Sequence, residues 1–367
     1  MKTLTLLIKP CSSKCDLNCN YCFYKNISKS RKISDTGFMS KNTLRTIVEN
    51  AFKENIDCIN FMFQGGEPTL INLDFYKYLI YLQNKFNKNN IKIINSIQTN
   101  GYNVDLDYIK FFKDNNFLVG VSLDGPEFIH DLNRLSLDKS KTFNKIMSTI
   151  KLLKHYDIEF NILCVITNYS SQYINYIYEF FKDNNFKYIQ FIPCIKTIDS
   201  NDSYVMTSNN YYIFLSNLFD LWFKDFLNNN YIYIRNFMDY IEVLNGLNPN
   251  SCGMGGFCSI HTVIEANGDV YPCDFYCIDD WKLGNVHDNL FSEMRFNDTS
   301  RLFFNRSLNI SNNCKSCKYF KLCGGGCRKN LNLISNKSNP YNYQCIPFIK
   351  FLNKNIKKLL YVSRNFE

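Results

Sequence analysis

No apolar run of signal-peptide length follows Met1, because the stretch from Thr3 to Ile8 is short and ends at Lys9-Pro10. No window approaches the roughly 18 uninterrupted apolar residues that a membrane-spanning helix needs, so the chain reads as soluble and cytoplasmic. Lysine and arginine are scattered rather than massed, which argues against a nucleic-acid footprint. No motif recurs at a fixed period of roughly 20 to 50 residues, which excludes a solenoid or propeller. Disorder is excluded as well, with 46% hydrophobic and only 20% charged residues. Histidine is scarce, at four residues, and His261 beside the cysteine-rich region reads as an ordinary polar residue rather than a ligand.

Cysteine is plentiful, with 16 in 367 residues, alongside 32 Phe and 25 Tyr. In a reducing compartment, closely spaced cysteines point to metal ligation before disulfides. The formal charge of +9 counts each as a neutral thiol. If eleven bind as thiolates to three clusters of core charge about +2 each, the holoprotein sits near about +4 and its basicity is mild. Polar runs such as Asn87-Lys88-Asn89-Asn90 read as compositional bias on surface loops.

The most informative segment is Cys11-Ser-Ser-Lys-Cys15-Asp-Leu-Asn-Cys19-Asn-Tyr21-Cys22-Phe23-Tyr24. Cys15, Cys19 and Cys22 can hold three irons of a [4Fe-4S] cluster and leave the fourth open to a non-protein ligand. An open metal position means chemistry, as it does at zinc sites. A zinc site or unrelated thiols are the alternatives. The spacing, with Tyr21 before the third cysteine, resembles the radical S-adenosylmethionine (SAM) signature, which implies that the open iron chelates SAM.

Apolar runs at Thr3 to Ile8, Ile59 to Phe63, Ile91 to Ile97, Phe117 to Ser122, Glu159 to Val165 and Tyr188 to Ile192 predict six strands. Amphipathic stretches between them predict helices at Lys41 to Glu54, Leu73 to Phe86, Val104 to Asn115, Thr142 to His155 and Gln172 to Asn184. The alternation predicts an α/β fold with a parallel sheet closed into part or all of a (β/α) barrel. Two more helices, Asn209 to Asn228 and Arg235 to Leu247, precede a region from Ser251 to Cys345 that holds nine cysteines and has poor helical periodicity. Pro347 to Tyr361 predicts a terminal helix.

Several motifs fall at strand ends, where such barrels do their chemistry. Gln64-Gly65-Gly66-Glu67-Pro68 offers backbone close to a ligand, with Glu67 either bracing the turn or accepting from an ammonium. Gln98-Thr99-Asn100-Gly101 and Ser122-Leu123-Asp124-Gly125-Pro126 present polar side chains, with ordinary turn chemistry as the alternative. Arg134 has the planar fork that suits a carboxylate, or is simply a surface residue.

In the cysteine-rich region Cys252, Cys258, Cys273, Cys314, Cys317, Cys323, Cys327 and Cys345 suffice for two fully ligated clusters, with zinc as the competitor. Cys58 and Cys164 read as core residues, Cys194 has no assigned role, and Cys11 and Cys277 lie near enough to ligand candidates to keep that role open. Asp274 follows a hairpin signal at Asn267-Gly268 and adjoins Cys273. A carboxylate so fixed can act as a base for a thiol or hydroxyl, unless it merely caps a turn.

Together these motifs, with Cys22-Phe-Tyr24, Phe63-Gln-Gly-Gly-Glu-Pro68, Glu159-Phe-Asn-Ile-Leu-Cys-Val165 and Tyr271-Pro-Cys-Asp-Phe-Tyr276, resemble the anaerobic sulfatase-maturating enzymes. The resemblance spans nearly the whole chain. It implies a partial (β/α)6 radical SAM barrel over 1–230, a helical connection over 231–250, a SPASM domain over 251–345 and a C-terminal helix over 346–367. It implies three [4Fe-4S] clusters, the auxiliary pair held by Cys252, Cys258, Cys273 and Cys327 and by Cys314, Cys317, Cys323 and Cys345. Tyr21, Gly66, Ser122, Arg134 and Ile195 would bind SAM, and Gln64 and Gln98 would face the substrate.

The implied reaction oxidises a sulfatase cysteine, or in some members a serine, to Cα-formylglycine. A 5′-deoxyadenosyl radical takes hydrogen from Cβ, Asp274 takes the thiol proton, and an electron leaves through the auxiliary clusters. The implied partners are an unfolded or nascent sulfatase carrying a Cys-x-Pro-x-Arg motif and an electron donor such as flavodoxin or ferredoxin, with the enzyme a monomer. The SPASM arrangement is shared with maturases that form thioether or carbon-carbon crosslinks in ribosomally made peptides, which is the alternative function.

Overall fold

The computed structural model describes residues 2–194, 203–331, 342 and 344–366. Its strands in chain order are β1 (Thr3–Ile8), β2 (Cys58–Phe63), β3 (Lys92–Thr99), β4 (Leu118–Ser122), β5 (Phe160–Ile166), β6 (Tyr188–Pro193), β7 (Tyr233–Ile234), β8 (Val263–Ile264), β9 (Asp269–Tyr271) and β10 (Gly284–Asn285). All six strands read from the apolar runs are present within two residues of their expected ends.

The chain divides into two compact units. One comprises Met1–Ser122, Asp131–Phe160 and Ile260–Phe303; the other comprises Leu123–His130, Asn161–Ser259 and Phe304–Glu367. These units cut across the linear division at 230, 250 and 345. The reason lies in the first unit, where β8 of the cysteine-rich region pairs in parallel with β1, Leu7 opposite Val263 and Ile8 opposite Ile264.

In that first unit the strand order is β10-β9-β8-β1-β2-β3-β4. The pairs β1/β2, β2/β3 and β3/β4 are parallel. The β8/β9 pair is an antiparallel hairpin whose turn Gly268 has φ 88°, as its Asn-Gly dipeptide predicts. Parallel pairing brings Phe63, Thr99 and Ser122 to neighbouring strand ends, so the polar motifs that follow them start on one edge. Intervening helices are capped by their sequences: Ser40 accepts from the Thr43 N–H, Asn72 from the Asp74 N–H and Asp105 from the Tyr108 N–H. Tyr76 is fully buried, and the rings of Phe63, Phe75, Tyr108, Phe111 and Phe117 surround it.

In the second unit β5, β6 and β7 are parallel neighbours, with Ile162 opposite Ile189 and Tyr188 opposite Tyr233. The tail helix runs over Cys345–Asn365 and buries Phe351, Leu352, Leu359 and Val362. Phe351 meets Phe219 of the Ser208–Leu227 helix and Tyr240 of the Arg235–Leu244 helix. Truncating so buried a ring costs about 3–5 kcal/mol.

The asparagine bias has a structural use beyond surface composition. Asn116, Asn185 and Asn229, each just past a helix end, adopt φ 50°, 52° and 52°. In Lys113-Asp-Asn-Asn116-Phe and Lys182-Asp-Asn-Asn185-Phe the second asparagine takes the left-handed conformation that turns the chain back, which asparagine tolerates better than most residues.

Candidate active site and thiol clusters

The loop bearing Cys15, Cys19 and Cys22 rests on the turn after β2. The Gly66 N–H donates to the Ser12 carbonyl (2.9 Å) and the Glu67 N–H to the Lys14 carbonyl (2.7 Å). A Cβ on Gly66 would stand 1.9 Å from the Lys14 carbonyl oxygen, and one on Gly65, at φ 122°, would stand 2.9 Å from Lys9 Cγ. Both glycines are therefore demanded by the approach of the thiol loop, whatever Gly66 also does for a ligand.

Glu67, 1% exposed, braces this turn. Its Oε1 accepts from the Thr69 N–H (3.0 Å), the Thr69 hydroxyl (2.7 Å) and the Thr99 hydroxyl (2.7 Å), and its Oε2 from the Asn100 N–H (2.6 Å). Burial raises its pKa in spite of these bonds. Of the two roles open to Glu67, bracing is the one its bonds fulfil. The Asn100 amide in turn donates to Asp16 Oδ1 (2.7 Å) and lies 3.6 Å from Cys15 Sγ, which also receives the Leu17 N–H at 3.4 Å. Donors aimed at a cluster sulfur tune its charge. Burial foremost, then the charges of Glu67, Asp16 and Cys19, pushes the Cys15 thiol far up. Such thiols keep their protons until metal displaces them. Among the described residues no three His, Cys, Asp or Glu converge to hold a single metal ion, so the zinc alternative has no ready site. The donor set suits the wider iron–sulfur cluster.

Asp274 does more than cap its turn. Its Oδ2 accepts from the Tyr24 hydroxyl (2.5 Å) and Gln64 Nε2 (3.0 Å), and Gln64 also donates to the Tyr24 oxygen (3.1 Å). Its Oδ1 lies 2.8 Å from Lys9 Nζ. Lys9, 2% exposed, also reaches Glu265 Oε1 (3.3 Å) and Cys277 Sγ (3.5 Å). Glu265 receives Arg31 Nη1 (2.7 Å) and the Ser12 hydroxyl (3.0 Å). Burial alone would lower the Lys9 pKa, but the charges of Asp274, Cys277 and Glu265 outweigh it and keep the ammonium protonated. Burial would raise the Glu265 carboxyl, and Lys9 and Arg31 bring it below its ordinary value instead. Tyr24 is raised by burial and then by Asp274.

Of the residues expected at SAM, Tyr21 and Arg134 meet: Arg134 Nη1 donates to the Tyr21 hydroxyl at 2.9 Å. Arg134 is 7% exposed, so it is not a surface residue. Gln98 Nε2 donates to Ser122 Oγ at 3.0 Å, joining a residue expected at the substrate to one expected at SAM. Ile195 lies outside the described residues.

In the second unit, burial raises the Cys258 thiol to about 12, followed by the charges of Cys327 and Cys252, so these three thiols share one neighbourhood. A second set does likewise: burial raises Cys323 to about 11, with Cys314, Cys317 and Cys345 adding to it and the Gly325 N–H, 3.3 Å from Cys323 Sγ, opposing. Cys273 belongs to the first unit, where it immediately precedes the Asp274–Tyr276 turn. Arg328, 2% exposed, ties this region together through the carbonyls of Ser307 (2.6 Å), Gly324 (3.2 Å), Gly326 (2.8 Å) and Gly256.

Cys58 and Cys164 are core residues of β2 and β5, as expected. Cys11 is buried too, its thiol facing the Pro68 carbonyl at 3.8 Å. Lys9, Tyr24, Arg31, Asn100, Glu265 and Arg328 were not legible as site residues. Lys9 did leave a signal, a lone cation closing an apolar strand, and Tyr24 stood inside the Cys22-Phe-Tyr24 motif.

The radical SAM superfamily model matches residues 10–181, and the iron-sulfur cluster-binding SPASM domain matches residues 252–318. The chain is 47% identical over 367 residues to a cysteine-type anaerobic sulfatase-maturating enzyme of Clostridium novyi (strain NT), covering 99% of this chain and 98% of that one. It is 29% identical over 385 residues to a serine-type anaerobic sulfatase-maturating enzyme of Bacteroides thetaiotaomicron, covering 97% and 92%. The solved structure of native anSMEcpe with bound AdoMet and Cp18Cys peptide superposes with a TM-score of 0.94 at 40% identity, covering 99% of this chain and all of that one. The expected fold class, a partial radical SAM barrel with a SPASM domain, is borne out.

Proposed function

This chain belongs to the anaerobic sulfatase-maturating enzymes of the radical SAM superfamily, and we propose that its own reaction is the oxidation of a sulfatase active-site cysteine to Cα-formylglycine. The observation that carries this reading is the convergence of Tyr24, Gln64 and Lys9 on the Asp274 carboxylate, in the unit that also holds the Cys15/Cys19/Cys22 loop. A partly exposed carboxylate backed by buried charge is equipped to receive a proton.

When bound, SAM and the first cluster supply the radical that removes hydrogen from Cβ of the target side chain. Asp274 accepts the thiol proton of that side chain. Gln64 orients Asp274 and meets the peptide, and Gln98 meets it beside Ser122. Arg134 and Tyr21 hold SAM together with Gly66, Ser122 and Ile195; the arginine fork suits the SAM carboxylate. Three [4Fe-4S] clusters are proposed, the auxiliary two on Cys252, Cys258, Cys273 and Cys327 and on Cys314, Cys317, Cys323 and Cys345. The neighbourhoods of Cys252, Cys258 and Cys327 and of the last four thiols support that partition.

The substrate is a sulfatase polypeptide with a Cys-x-Pro-x-Arg motif. Cysteine is preferred over serine, since 47% identity to a cysteine-type enzyme exceeds 29% to a serine-type one. The enzyme works as a monomer in the cytoplasm, a compartment that keeps its thiols reduced, with an electron-carrier protein as reductant. No helix among the described residues is long and apolar enough to cross a membrane.

The test is anaerobic reconstitution with SAM, a reductant, and paired peptides carrying Cys-x-Pro-x-Arg or Ser-x-Pro-x-Arg, followed by mass spectrometry. Conversion of the cysteine peptide's CH2SH to CHO supports the reading. SAM cleavage with both peptides unchanged would overturn it, and equal conversion of the serine peptide would overturn the preference.

A further inference from the structure

The four buried or partly buried charges behind Asp274 are arranged asymmetrically about its two oxygens. Oδ1 faces the Lys9 ammonium at 2.8 Å, whereas Oδ2 faces only the neutral donors Tyr24 and Gln64. Lys9 does not serve Asp274 alone, because its ammonium also lies 3.3 Å from Glu265 Oε1, 3.5 Å from Cys277 Sγ and 4.6 Å from the centre of the Tyr24 ring. Glu265 is anchored independently by Arg31 and Ser12, so the ammonium is held from the side opposite Asp274. Two cations, Lys9 and Arg31, thus balance two carboxylates. A buried ammonium is tolerated when paired and hydrogen-bonded in this way, and removing one partner leaves the others uncompensated.

We propose that Lys9, fixed by Glu265, is the positioning residue that clamps Asp274 through Oδ1 and so makes Oδ2 the oxygen offered to the peptide. A charge-assisted contact is stronger than a neutral one. An incoming thiol therefore displaces the Gln64 or Tyr24 donor and leaves the ammonium in place. Lys9 touches neither peptide nor SAM in this account; it acts through Asp274. The inference rests on the proposed role of Asp274.

The test uses reconstituted holoenzyme and reads two quantities, the thermal midpoint and the coupling ratio of peptide converted to SAM cleaved. Lys9→Met strands the carboxylates and lowers the midpoint. The double variant Lys9→Met/Glu265→Gln restores charge balance, with Arg31 facing Asp274's share, and recovers much of the midpoint. Its coupling ratio still falls by about a hundredfold, the penalty of a catalytic group displaced by about 1 Å. A double variant with wild-type coupling would show that Lys9 is merely structural and would overturn the proposal. A structure of the wild-type enzyme with bound peptide is the second reading, independent of how the variants fold: the target thiol must approach Oδ2, and an approach to Oδ1 overturns the clamp. Asp274→Asn run alongside separates the two levels. If that variant turns over normally, the role of Asp274 itself falls; if it is inactive while the double variant is fully coupled, only the role of Lys9 falls.

Discussion

The loop of Cys15, Cys19 and Cys22 and the segment of Cys314, Cys317, Cys323 and Cys345 carry the same chemistry on opposite kinds of support. The first loop is bounded by the six-residue strands β1 and β2, pinned through Ser12 and Lys14, and backed by the four bonds of buried Glu67. The second segment has helices of only four residues, Asn312–Lys315 and Phe320–Cys323, followed by three successive glycines at φ 54°, 83° and 78°. Glycines cost the most backbone entropy to order, and four-residue helices do not stand alone. The difference teaches that the first site is built by the polypeptide and then filled, while the second gains its shape from what it binds.

Removing iron breaks the comparison most sharply. Hydrogen exchange on apoprotein should show protection falling by about a hundredfold or more over 311–327 and only severalfold over 58–67. Equal losses in both would refute the distinction. Next in size, Glu67→Ala should cost at least about 3 kcal/mol, because it leaves buried N–H and hydroxyl donors without an acceptor at about 1–3 kcal/mol each. Denaturant unfolding measures it, and loss of the first cluster's absorbance should accompany it. Arg328→Met should cost about 2–3 kcal/mol by the same logic applied to its carbonyls, less in holoprotein than in apoprotein if bound metal reinforces the segment.

The Glu265 carboxyl supplies a pH test. Its folded pKa lies below its ordinary value, so its contribution is present above the ordinary carboxylate range and is lost as pH falls through the lowered folded value. Glu265→Gln should therefore flatten the acid side of the stability profile, read by thermal melts across that range. The smallest effect is expected at Asp220, whose exposed pairs with Lys354 (2.9 Å) and Lys358 (2.7 Å) should be worth about 0.5 kcal/mol each and vanish in high salt.

The sheet was legible because apolar runs of six or so residues alternate with strongly amphipathic helices, and tertiary packing reinforces that pattern instead of overriding it. The thiol motifs were legible because ligand spacing is local. Lys9, Arg31 and Glu265 were not: they stand far apart in sequence, and only the β1/β8 pairing brings the Glu265 hairpin to Lys9. The glycines of the turn were legible as glycines but not as what they accommodate, the Lys14 carbonyl. Counting cations also concealed a segregation of sign, since 13 lysines and arginines and no aspartate or glutamate lie between Thr299 and Phe366, in no run longer than two.

The central claim, that the buried charges of the first unit exist to present Asp274 to a peptide, is tested most directly by Asp274→Asn in reconstituted enzyme. The account predicts bound clusters and continued SAM cleavage with the Cys-x-Pro-x-Arg peptide left unconverted. Conversion of that peptide at the wild-type ratio to SAM cleaved would contradict it.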